Sequence, residues 1–169
     1  GQEILDGNGK NIFVPNSPDF GTVVYGIVNL IVQDGFLTFK IISLLSGTGI
    51  VFFSYYITKN IFSTRIALIV QLFVACNPRL DLASVYAMNE LLPVFLIFAS
   101  LYFITKKSLN LSDLIMSGAL LGISSLIRFQ GLLVLISLLV FLLIRSNKMK
   151  INFSHFFILG LFFIITFSP

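Results

Sequence analysis

Arg128 lies in "GISSLIRFQGLLVLI", residues 122–136, and is the one charged residue between Leu114 and Ile144. A charge held in hydrocarbon costs about 2.5–3.5 kcal/mol on insertion scales. It therefore needs either an escape route or a task. The escape is to anchor a helix end and snorkel to the headgroups. The task is to face an anionic ligand, and the planar guanidinium fork suits a phosphate. Both readings stay open on the residues alone.

A second set of polar groups sits in "NPRLDLASVYAMNE", residues 77–90. Glu90 opens an apolar stretch. It is either an N-terminal acid favoured by the helix dipole or a carboxylate that orients a hydroxyl, a proton or a metal. Asn89, Tyr86 and Arg79 stand near it and join Arg128 as candidate substrate-binding residues. Arg79 and Asp81 also read as an ion pair in a solvated loop. His155 reads as an interfacial or packing residue. No Cys/His metal spacing, P-loop or dinucleotide glycine pattern occurs. No motif calls for a cofactor, and a divalent metal is the one option left open.

The elements that must position these groups are set by composition. Of 169 residues, 57% are hydrophobic and 11% are charged, against about a quarter charged in a soluble domain. Mean hydropathy is +1.00. So few polar groups cannot cover so much apolar surface, and lipid must be the solvent. The net charge of +4 then reflects basic loops kept on the cytoplasmic side, not a nucleic-acid partner. The single cysteine, Cys76, reads as a small buried side chain. The chain opens on "GQEILDGNGK", with no signal-peptide pattern, and ends on "FFIITFSP". It reads as a fragment of a longer polytopic protein.

The expected fold is an all-α polytopic transmembrane helical bundle. Residues 1–36 form an extracytoplasmic loop with an interfacial helix over 20–33, whose 14 residues reach only about 21 Å. Residues 37–169 form the bundle, with about six membrane segments. Apolar runs cover 37–58, 61–77, 90–105, 114–144 and 151–168, the second ending at Asn77-Pro78. The 114–144 run would be about 46 Å long as one helix. Two short crossings, or a deep re-entrant pair, hinged at Arg128 instead put Lys59, Arg65, Lys106, Lys107, Arg145, Lys148 and Lys150 on one side. That is the asymmetry the positive-inside rule favours. The two arms hold 14 and 16 residues, and the first carries Gly118 and Gly122 at a spacing that lets helices pack closely.

The stretches "EILDGNG", "PNSPDF", "RIALIVQLFVACNP", "SVYAMNELLPVFLIFASLYFITKK" and "SGALLGISSLIRFQGLLVLI" come in this order. Together they resemble the membrane core of the GT-C glycosyltransferases, in the branch of protein O-mannosyltransferases and aminoarabinose transferases. The resemblance runs over nearly the whole chain. It implies an integral-membrane enzyme that takes a sugar from a polyprenyl-phosphate-linked donor. Transfer is inverting, to a protein, lipid or glycan acceptor, on the extracytoplasmic face. It matches Glu90 to the family's second outer-loop acid and Arg128 to the basic residue beside the lipid phosphate. It places the main catalytic acid upstream of residue 1, so neither Glu3 nor Asp6 fills that role. The "PNSPDF" stretch lacks the histidine of the family's His-Pro-Pro type motif. The alternative function is a transporter or flippase for a lipid-linked anion, with Arg128 as the substrate-binding cation. A third is a non-catalytic membrane subunit.

Overall fold

The computed structural model describes residues 20–86, 90–128, 130–149 and 153–167. Glu3, Asp6, the "PNSPDF" stretch and Asn89 lie outside the described residues, as does the side chain of His155. Every element among the described residues is an α-helix. In chain order they are α1 (Phe20–Val32), α2 (Gly35–Ile61), α3 (Thr64–Ala75), α4 (Pro78–Val85), α5 (Leu91–Thr105), α6 (Leu111–Ile127), α7 (Gln130–Met149) and α8 (Phe153–Phe167).

Gln33 and Asp34 turn the chain between α1 and α2. Gln33 adopts a left-handed φ of 56°, and its N–H donates to the Asn29 carbonyl at 2.8 Å. Asp34 then caps α2 by accepting from the Leu37 N–H at 3.1 Å, the usual service of an aspartate at that position. The α1–α2 pair closes with a Tyr25–Phe39 ring stack at 4.2 Å and a Thr38–Asn29 hydrogen bond. At 27 residues, α2 begins two residues before the expected run and ends three after it. It is the one described helix that is long and apolar enough to cross a membrane by itself.

Asn77-Pro78 ends α3 as expected, but the chain does not become a loop. The Asn77 side chain accepts from the Arg79 N–H at 3.0 Å and Pro78 supplies the first turn of α4. Proline is pre-set for that position because its missing N–H would be unpaired there anyway. The α3 and α4 axes differ by 52°. Arg79 and Asp81 therefore stand on a helix and make no ion pair with each other. Cys76 is exposed, contrary to the buried role expected of it. Only one residue of α3, Ala67, is buried; Val70, Gln71 and Val74 are half-buried and the rest of that helix faces outward.

The bundle centres on α5 and α6, an antiparallel hairpin. Ile104, Leu114, Leu121, Leu142 and Leu159 have no exposed surface and form its core with α7 and α8. In lipid, apolar contact alone gives little drive for helices to associate. Close packing and interhelical hydrogen bonds do more, with about 0.6–2 kcal/mol for each bond. Here the bonds join serine to serine and serine to backbone. Ser100 and Ser117 meet Oγ to Oγ at 2.6 Å, buried between α5 and α6. About two turns further on, Ser124 Oγ donates to the Pro93 carbonyl at 3.0 Å.

The opposite face of α6 is made of glycine. A side chain at Gly118 would meet the Leu159 carbonyl of α8 at 2.7 Å, and one at Gly122 would collide with Thr166. The two glycines thus do what their spacing suggests, and α8 runs parallel to α6. Many large apolar side chains remain on the outer surfaces. Leu30 is 79% exposed and Ile31 83%. Such exposure fits a lipid-facing surface.

Candidate functional site

The expected break at Arg128 is present. Its backbone is extended (φ −152°, ψ 139°), and its N–H closes α6 by donating to the Ser124 carbonyl at 2.8 Å. The arms on either side, α6 with 17 residues and α7 with 20, are each longer than the 14 and 16 expected. The apolar run understates α6 because its first turn, Leu111 to Asp113, is capped by polar groups. The chain then doubles back. A side chain at Gly131 would meet the Leu121 carbonyl at 2.8 Å and press into Ser125, so only glycine lets α7 leave the hinge this close to α6.

Glu90 occupies the residue before α5, with helical backbone angles and no hydrogen bond from its side chain to the helix. Its carboxylate turns instead to the hinge. Arg128 Nη1 stands 3.0 Å from Glu90 Oε1. The two residues singled out from the sequence, 38 apart in the chain, therefore touch. The pair is open to its surroundings, with 43% of the Arg128 side chain and 58% of that of Glu90 exposed.

Matched helix lengths and interhelical bonds bring about this meeting. Glu90 lies 16 residues back from Lys106, and Arg128 lies 15 forward from Asp113. Lys106 and Asp113 themselves pair at 2.6 Å across the other end of the hairpin. Arms of 16 and 15 residues rise about 24 and 22 Å, which brings the remaining two charges to the same height. The Ser124–Pro93 bond, three residues below Glu90 and four below Arg128, holds the register there. Ser100 is part of that register and was not among the residues nominated from the sequence. The signal that would have found it is the interval between matched serines on two adjacent apolar stretches.

Of the other candidates, Arg79 stands exposed in the first turn of α4. Tyr86 follows α4 as its C-cap and is 67% exposed. Neither makes a side-chain hydrogen bond or ion pair with Glu90 or Arg128. Among the described residues, no three of His, Cys, Asp and Glu come together as a metal site. Glu90 is already engaged by a guanidinium. The described residues by themselves do not fit a divalent metal.

An arginine and a carboxylate in contact at an open helix hinge can bind an oxyanion and accept or hold a proton from a hydroxyl. No curated protein and no solved structure matches the chain. A family model described as dolichyl-phosphate-mannose-protein mannosyltransferase matches residues 17–169. That match takes in every described helix and both members of the pair. The chain accordingly belongs to the dolichyl-phosphate-mannose-protein mannosyltransferase family, membrane-integral glycosyltransferases of the GT-C fold.

Proposed function

We propose that the protein transfers a sugar from a polyprenyl-phosphate-linked donor to a hydroxyl-bearing acceptor, with inversion, at the end of the bundle that carries Glu90 and Arg128. The observation that carries this reading is the contact between those two residues at the broken helix. In the reaction the bond from the sugar's anomeric carbon to the phosphate oxygen breaks. The acceptor oxygen forms the new bond from the opposite face and gives up its proton. The lipid phosphate leaves with one more negative charge. Arg128 is placed to stabilise that charge, and fixed charges aimed at developing charge are the strongest catalytic devices available to a site of this kind. Glu90 is placed to orient a polar group of acceptor or donor.

The reacting end is assigned to the extracytoplasmic face. Lys59 lies in the last turn of α2 and Arg65 in the first turn of α3, while Lys106 and Lys107 follow α5. All four gather at the end opposite Glu90 and Arg128, and basic loops mark the cytoplasmic side. The acceptor is a protein, lipid or glycan hydroxyl, and membrane lipid surrounds the bundle.

The test is turnover of a radiolabelled polyprenyl-phosphate sugar by the full-length protein in proteoliposomes. Wild type should release free polyprenyl phosphate together with glycosylated acceptor. Arg128→Ala should do neither while keeping its melting temperature. Wild-type turnover by that variant would remove Arg128 from the mechanism. Translocation of the intact lipid-linked sugar without release of polyprenyl phosphate would identify a flippase instead.

A further inference from the structure

We propose that Glu90 is the resident anion of the Arg128 site, held there until a donor phosphate takes its place. This rests on the reading of Arg128 as the phosphate-facing residue. Four observations lead to it. Glu90 spends no hydrogen bond on the helix it precedes, so its carboxylate is held by the arginine and not by α5. The contact is a single Nη1–Oε1 approach of 3.0 Å, not the two-pronged grip that a guanidinium can make. Among the described residues no other partner engages the fork. Both side chains are about half exposed, so parting them costs little. Exposed pairs of this kind are worth about 0.2–1 kcal/mol.

A phosphate has what the carboxylate lacks here. It offers two oxygens to the planar fork from outside the hairpin, and charge-assisted bidentate contacts are the stronger kind. The backbone need not move. Arg128 stays closed onto Ser124, and Ser124 stays tied to Pro93, so the exchange is a rotation of two side chains. On arrival of the phosphate, the Glu90 carboxylate is released toward the acceptor. After transfer it returns to the guanidinium and competes with the spent lipid phosphate, easing its departure. Glu90 thus tunes both the affinity of the anion site and its emptying.

The experiment is equilibrium binding of dolichyl phosphate to the full-length protein in nanodiscs, for wild type, Glu90→Gln, Arg128→Gln and the double variant. Melting temperatures establish that each is folded. Glu90→Gln should bind about two- to fivefold more tightly than wild type, the fold-change that an exposed pair's free energy implies. Arg128→Gln should bind more weakly, and adding Glu90→Gln to it should restore nothing. Unchanged or weaker binding by Glu90→Gln, with Arg128→Gln weakened, overturns the exchange but leaves the phosphate role of Arg128 standing. An equal gain from Glu90→Gln in both backgrounds also overturns it, because simple repulsion then accounts for the effect. Wild-type affinity in Arg128→Gln overturns the phosphate reading itself.

Discussion

The α5–α6 hairpin has an ion pair at each end, and the two are built differently. At one end both oxygens of Asp113 are used. Oδ1 receives Lys106 Nζ at 2.6 Å, and Oδ2 accepts the Asn110 N–H at 3.2 Å. Asp113 is only 8% exposed, and Lys106 lies over the rings of Tyr102 and Phe103. At the other end Glu90 and Arg128 share one contact and remain open. The first pair caps a helix, closes a turn and packs against aromatic rings. The second caps nothing. A charge pair woven into helix ends and rings supports the fold, whereas one held by a single contact at an open hinge is free to trade partners.

That contrast can be broken by substitution. The largest effect should come from Arg128→Ala, which is expected to lower transfer by at least about a hundredfold, the scale seen when one charge-stabilising group is removed. Its melting temperature should stay close to wild type, and a matching loss of stability would make the two ends equivalent. Next, Gly118→Leu should fail through packing, not chemistry. Overpacking costs about 1–3 kcal/mol, and here the obstacle is a backbone carbonyl of α8 at 2.7 Å. Chemical denaturation in detergent would read it, and a neutral result would mean that α8 yields.

Asp113→Ala should cost about 1–3 kcal/mol, because it leaves the Asn110 N–H without its acceptor and Lys106 without its carboxylate. Donor affinity should stay unaltered. The smallest effect on stability belongs to Glu90→Gln, about 0–1 kcal/mol and shrinking further with added salt. A stability loss there as large as that of Asp113→Ala would erase the distinction drawn between the pairs.

How much of this could be read from the residues varies with the kind of signal. The hinge at Arg128 was legible because a charge-sidedness rule had enough basic residues to act on. Gly118 and Gly122 were legible because close packing leaves a spacing in the sequence. The helix α4 was not, since Pro78 stops one helix and starts another with the same residue, and "PRLDLASV" carries no strong apolar stripe. Cys76 is exposed although its neighbours are apolar, because an apolar neighbourhood in sequence means burial only when lipid is not the solvent. The Glu90–Arg128 contact lay between these cases. Both residues stand out in the sequence, but nothing in it says that they touch. Their direct contact follows from matched arm lengths and from serine bonds between helices, which no local pattern encodes.

The two faces of α6 have a mechanical consequence. Serines on one side engage α5 by hydrogen bonds, and glycines on the other let α8 lie against the backbone. Turning α6 about its own axis would break the first set and drive side chains into the second. Its rotational freedom is therefore removed from both directions. Any displacement of the Arg128 side chain during a catalytic cycle must arise downstream of Ile127, in the few residues before Gly131, leaving the helix beneath as a stationary mount.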